Sequence, residues 1–255
     1  MMLFEFTIFG LHIAATWYGF MYALGFFACY IYVKKYGSLE KKHLDDFLLF
    51  IFIGVIVGWR IGYILLYQAE YFLDHPLEIF MIWKGGMSFH GGALGVIGAL
   101  ILFAHKYKYR LYDLSDTLVS ILPLALWLWR IGNYLNSELL GYSPYNGPLP
   151  MIKNGVAHFP SPLFQAFLEG IVLLTIMQIY RLYEKNNGKI PGYASAFFLI
   201  IYAFLRILAE NFRLPDESIW YLFSTDWITL GMLYSIPMII LWGGILIARE
   251  QKNHR

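Results

Sequence analysis

Between residues 128 and 141 the chain reads LWRIGNYLNSELLG. Arg130, Asn133, Asn136 and Glu138 fall within nine residues, directly after an almost wholly apolar run at 118–129. The first three recur every third residue, so on a continuing helix they lie along one side. A guanidinium offers five donors in a planar fork that suits phosphate, and amides can donate beside it. Glu138 can orient the arginine or accept from a hydroxyl, and Gly132 lets a second backbone or a lipid headgroup come close. The chemistry that suits these residues is the grip of a phosphate-bearing group. The plainer alternative is a helix end entering interfacial water; four polar groups in so short a span weigh against it.

Two further stretches carry reactive types. In YAFLRILAENFRLPDES, 202–218, the residues Tyr202, Arg206 and Glu210 are spaced i, i+4, i+8, and Arg213 follows at i+11. They make one polar stripe on an otherwise apolar helix. It is either part of a binding site or an internal Arg206–Glu210 ion pair that makes both charges tolerable in lipid. In GGMSFHGGALGVIG, 85–98, His90 stands where a glycine-rich loop enters an apolar helix. A histidine there is suited to act as a base near neutral pH, and is equally suited to packing or capping. Gly91, Gly95 and Gly98 give that helix a smooth face for close contact. Tyr18 and Tyr22, in TWYGFMY, share a helix face, where tyrosines also serve as ordinary interfacial anchors. No His, Cys, Asp or Glu spacing suggests a metal site, and no Ser-His-Asp pattern supports an acyl-enzyme. The single cysteine, Cys29, excludes an internal disulfide and reads as a buried thiol.

The elements that position these groups follow from composition. At 59% hydrophobic and 14% charged, with mean hydropathy +0.55, the chain is far from a soluble domain. It reads as a single integral membrane domain over 1–255, an all-α polytopic helix bundle. A net charge of +2 gives no reason to expect a nucleic-acid partner. Seven apolar stretches are expected to span: about 13–33, 47–67, 91–105, 116–130, 164–183, 193–209 and 227–248. No Lys or Arg precedes the first, so it reads as a retained span rather than a cleaved signal.

Alternate loops hold Lys34, Lys35, Lys41 and Lys42; Lys106, Lys108 and Arg110; Arg181, Lys185 and Lys189; and Arg249, Lys252 and Arg255. The opposite loops hold only Lys84, Lys153 and Arg213. This asymmetry predicts a cytoplasmic C-terminus and an external N-terminus. Arg60, Arg130 and Arg206 remain, each within or at the end of an apolar segment and each toward the external half. An arginine at mid-membrane costs about 2.5–3.5 kcal/mol on insertion scales, so it normally faces a polar cavity or a partner. Arg60 and Arg130 share the tetrapeptide WRIG, a faint trace of a repeat. The Gly-, Pro- and Asn-rich stretch 133–162 reads as a small external cap. From the residues alone, the chain is a membrane enzyme or a transporter handling an anionic lipid or solute.

The segments WRIGNYLNSELLG, GGMSFHGGALG and YAFLRILAENFRLPD, with WYGFMY, GWRIGYILLY and GMLYSIPM, resemble the bacterial prolipoprotein diacylglyceryl transferase family over most of the chain. That resemblance implies a seven-span inner-membrane enzyme that moves the sn-1,2-diacylglyceryl group of phosphatidylglycerol onto the lipobox cysteine in a preprolipoprotein signal peptide. A thioether forms and glycerol phosphate leaves, without cofactor or metal. It further implies that Arg130, with Asn133 and Glu138, grips the headgroup phosphate, and that Arg206 offsets charge on the leaving phosphate. His90 would take the thiol proton or position the group that does. Tyr18, Tyr202 and Glu210 would hold these groups in place, with Asn136, Arg213 and Arg60 completing the headgroup-binding candidates. One segment departs: the family commonly carries HPSQLYE where this chain has FPSPLFQ, 159–165, with His158 and Glu169 nearby. No catalytic role is assigned to that segment. The competing readings are a secondary transporter for a phosphate-bearing organic anion, against which no clear inverted repeat appears, and a non-catalytic membrane scaffold.

Overall fold

A computed structural model of the chain describes residues 2–8, 11–82, 85–86, 88–214, 230–233 and 235–253. The expected helical membrane bundle is what forms, with two small hairpins added. Three helices are long and apolar enough to cross a membrane, at 41–65, 161–187 and 193–210. A bent pair, 111–119 with 122–135, would make a fourth, and shorter apolar helices lie at 91–107 and 236–246. Among the described residues, length and composition thus support three or four spans where the sequence reading expects seven.

Two expected stretches change form. The first, 13–33, begins in a strand: β1 (Met2–Ile8) pairs antiparallel with β2 (Leu11–Thr16), and helix α1 runs only from Trp17 to Tyr36. The fourth, 116–130, is two helices bent by 46°, α5 (Leu111–Val119) and α6 (Leu122–Leu135). Pro123 explains the break. Its ring has no N–H to give and disfavours helical backbone just before it, so it fits the first turn of a new helix.

The chain divides into two compact units, 33–115 and 1–32 with 116–255. In the first, α2 (Leu44–Tyr67), followed by the short α3 (Ala69–Asp74), packs on α4 (Phe89–Tyr107) through glycines. A Cβ at Gly54 would stand 2.6 Å from the Gly95 carbonyl oxygen, and one at Gly62 would stand 2.5 Å from the Gly91 Cα. The two backbones therefore touch, as small residues allow in lipid. Gly91 and Gly95 serve as the sequence reading expects; Gly98 does not, because nothing lies within 4 Å of it.

The second unit holds α6, α7 (Ser161–Gln165), a π-helical segment Ala166–Val172, α8 (Leu173–Asn187) and α9 (Tyr193–Glu210). The short α10 (Leu230–Leu233) and α11 (Ile236–Asn253) also belong to it. Its core gathers Leu126, Leu168, Leu173, Met177, Phe198 and Leu205. Buried Asp116 takes the Gly192 amide at 2.7 Å and the Ser195 amide and hydroxyl at 2.9 and 2.7 Å. A carboxylate from α5 thus satisfies the otherwise orphaned amides that open α9 and fixes that helix along its axis. Exposed apolar side chains such as Phe27, Ile179, Phe204 and Ile240 give the unit an exterior suited to lipid.

Candidate active site

Arg130 lies in the last two turns of α6 and is almost wholly buried. Its Nε and Nη2 donate to one oxygen, Oε2 of Glu169, at 3.0 and 2.9 Å. The guanidinium also lies over the Trp129 ring, 4.8 Å from its centre. Its Nη1 has no hydrogen-bond partner among the described residues. The other oxygen of Glu169 takes Nη1 of Arg206, from α9, at 3.1 Å. Glu169 is itself completely buried. One carboxylate therefore ties together two arginines from two helices.

The ion-pair chain continues outward. Arg206 Nη2 is 2.6 Å from Glu210 Oε2, a close contact without the alignment of a hydrogen bond. The other Glu210 oxygen takes Arg213 Nη1 at 3.5 Å. Tyr202, one turn before Arg206, is buried and stacks on Phe198, with ring centres 5.6 Å apart. The i, i+4, i+8 stripe is therefore real. The ion-pair reading holds, since Arg206 and Glu210 pair, and Arg206 also reaches across to a carboxylate on a second helix.

The opening motif divides between helix and cap. Arg130 and Asn133 are buried on α6, whereas Asn136 is the C-cap, its amide donating to the Gly132 carbonyl at 3.0 Å. Asn133 Nδ2 donates to Glu138 Oε2 at 3.1 Å, and the Glu138 amide closes back on the Asn133 carbonyl. Tyr22 of α1 is near enough to feel the charges of Arg130 and Glu138. The segment after α6 is built rather than loose. Its hairpin, β3 (Met151–Lys153) with β4 (Val156–His158), is followed by Phe159, stacked on Tyr142 at 5.0 Å. Gly141 bridges to Arg213, and Leu214 donates to the Leu140 carbonyl, so this segment is stitched to the end of α9. A side chain at Gly141 would meet the Phe159 and Phe212 carbonyls at 2.7 Å.

Arg60 belongs to the other unit and is spent on backbone. Its donors reach the carbonyls of Glu78, Ile79 and Gly85 at 2.5, 2.9 and 2.7 Å, and it lies over Phe72. That geometry suits fastening a loop better than gripping a headgroup. His90 lies in the first turn of α4, which Ser88 caps by accepting from the Gly91 amide at 3.3 Å. The side chains of His90 and Tyr18 lie outside the described residues, as does the segment 215–229.

Sequence reasoning passed over Glu169. It is the one acid in the apolar run 164–183. The signal was available: an intramembrane carboxylate needs a partner, and two intramembrane arginines needed one too. Sequence alone did not show that they meet. The backbone marks the place as well, because Glu169 sits within a π-helical turn, a distortion frequent at functional sites. The extra residue in that turn aims Glu169 between α6 and α9, while Gly170 admits Trp127, whose Cβ is 2.5 Å from where a glycine Cβ would be.

Three arginines and two carboxylates thus share the buried polar centre of an apolar helix bundle, which is the layout of a polytopic membrane protein that handles an anionic group. The chain belongs to the prolipoprotein diacylglyceryl transferase family, which it matches over residues 5–248. It is 42% identical over 238 residues to a phosphatidylglycerol–prolipoprotein diacylglyceryl transferase of Nitrosospira multiformis, covering 89% of this chain and 80% of that protein. A protein of the same name from Hydrogenovibrio crunogenus is 39% identical over 94% of this chain and 91% of its own. One from Francisella tularensis subsp. holarctica is 37% identical over 93% and 91%.

Proposed function

We propose that this protein transfers the sn-1,2-diacylglyceryl group of phosphatidylglycerol to the lipobox cysteine of a preprolipoprotein. Family membership carries the reaction, and the Arg130–Glu169–Arg206 cluster carries its location. The cysteine thiolate attacks the glyceryl carbon bonded to the phosphate oxygen. A C–S bond forms, the C–O bond breaks, and glycerol phosphate leaves with the electron pair. Arg130, with Asn133, Asn136 and Glu138, binds the headgroup, and its unpaired Nη1 is the donor offered to phosphate. Arg206 offsets the charge that grows on the departing phosphate, held for that task by Glu169 and Glu210. His90 accepts the thiol proton or positions the group that does, since the thiolate is the nucleophile.

Tyr18 and Tyr202 support the site, and Arg213 anchors Glu210 to the segment 133–162, which covers the external mouth. Arg60 fastens the backbone at Glu78, Ile79 and Gly85. The protein sits in the bacterial inner membrane with its N-terminus external and its C-terminus cytoplasmic, the orientation that the loop lysines and arginines favour. The test is to incubate the purified protein with phosphatidylglycerol and a lipobox peptide and to weigh the peptide. A diacylglyceryl adduct on cysteine is expected. Its absence, from folded protein beside an active control, would return the transporter reading to the front.

A further inference from the structure

Gln165 is completely buried, and neither its Oε1 nor its Nε2 has a hydrogen-bond partner among the described residues. A buried amide left so is costly, which makes it a rarity in folded proteins. Its position says what it could serve. The ends of α6 and α7 are joined across the cap by Gly141 to Phe159 and by Ser161 to Leu139, so the two helices run antiparallel. Arg130 meets Glu169, so Asn133, one turn further on, falls level with Gln165, one turn earlier. On the other side Phe164 packs on Phe212 and Glu169 meets Arg206, which puts Gln165 level with Glu210. The amide therefore lies in the outer layer of the arginine cluster, beyond the carboxylate that ties Arg130 to Arg206.

Resting on the transferase reading, we infer that Gln165 reads the headgroup hydroxyls of the lipid donor: Oε1 accepts from a glycerol hydroxyl, and Nε2 donates to an oxygen of the same headgroup. The arginines recognise only the phosphodiester charge, which many lipids share. An amide beside them adds a requirement that charge cannot, because a site built to bond a hydroxyl discriminates against the analogue that lacks it. An ammonium headgroup carries its own cation into a cluster already holding Arg130, Arg206 and Arg213. A neutral polyol headgroup supplies both a donor and an acceptor. A headgroup bound beside the arginines would give the amide the hydrogen-bond partners it lacks among the described residues.

The experiment compares two donors with the full-length protein in detergent: phosphatidylglycerol and phosphatidylpropanol, which keeps the phosphodiester and lacks headgroup hydroxyls. Wild type should prefer phosphatidylglycerol by about tenfold in kcat/KM, the worth of one or two such hydrogen bonds. Gln165→Met, which keeps the length and removes both polar ends, should lose about tenfold on phosphatidylglycerol and nothing on phosphatidylpropanol. Its thermal stability should hold or rise, because an unsatisfied amide has been removed. Gln165→Glu, which keeps an acceptor, should keep the preference. Equal losses on both donors, a drop in stability, or a preference that survives Gln165→Met would overturn the inference while leaving the transferase reading intact. No adduct from either donor in wild type would instead overturn that reading, and this inference with it.

Discussion

Glu169 and Arg130 are joined by two hydrogen bonds to a single oxygen, Oε2, at 3.0 and 2.9 Å, inside a helix bundle where neither side chain reaches solvent to any useful extent. Because Arg206 holds the second oxygen, the carboxylate fixes the spacing of two guanidinium groups. Removing one partner of a buried pair leaves an uncompensated charge and costs about 3–5 kcal/mol. Glu169→Ala should therefore lower the melting temperature clearly in detergent. Glu169→Gln, nearly isosteric, should fold better yet still lose most transfer, since a neutral amide no longer sets both arginines. Melting curves beside transfer rates separate the two effects. Full activity in Glu169→Gln would remove the carboxylate from the account.

Arg206 uses two different nitrogens for two different carboxylates. A lysine keeps the charge but has no planar fork, so Arg206→Lys cannot reproduce the two separate contacts that Nη1 and Nη2 make with Glu169 and Glu210. Loss of one preorganised donor to a developing anion lowers turnover by about 10²–10³-fold in other systems. The expected result is a fall of that order in kcat with a smaller change in KM for phosphatidylglycerol. An equal rise in KM with kcat kept would make Arg206 a ground-state binding group.

Asp116 anchors the opposite end of α9 through three hydrogen bonds. Asp116→Ala should destabilise by about 1–3 kcal/mol, the cost of leaving buried donors unpaired. Because Arg206 rides on the same helix, transfer should also fall at temperatures where the variant is still folded. Asp116→Asn, which keeps an oxygen for Ser195 but turns an NH2 group on the Gly192 amide, should recover only part of both. Thermal melting and transfer measured on the same preparations check this.

The α2–α4 contact is backbone on backbone, so even a methyl has no room at its centre. Gly58→Ala and Gly95→Ala should each reduce thermal stability by about 1–3 kcal/mol, the usual cost of overpacking. Gly98→Ala, with nothing within 4 Å, should be silent or slightly stabilising. Equal effects at all three positions would contradict the packing described.

What could be read from the sequence depended on whether the signal was local. Hydropathy marked the helices, and the i, i+4, i+8 spacing of Tyr202, Arg206 and Glu210 placed them on one face of α9. The Arg206–Glu210 pair follows from that spacing alone. Glu169 did not declare itself because its partners lie 39 and 37 residues away in the chain, on other helices. The same holds for Asp116, whose work is done at Ser195, and for Gly54, Gly58 and Gly62, which matter only once α4 is laid against them. The break between α5 and α6 was legible in Pro123, yet continuous hydropathy across it hid the bend. The β1–β2 hairpin was missed for a related reason, because its apolar second strand runs straight into α1 without a polar boundary.

The most direct test of the central claim follows both products together: glycerol phosphate released from phosphatidylglycerol and thioether formed on a lipobox peptide, in wild type, Arg130→Ala and Arg206→Ala. Equal amounts of the two products are expected from wild type, and neither from the arginine variants, under conditions where circular dichroism and melting show the variants still folded. Glycerol phosphate without peptide adduct, or transfer that survives in folded Arg130→Ala, would contradict it.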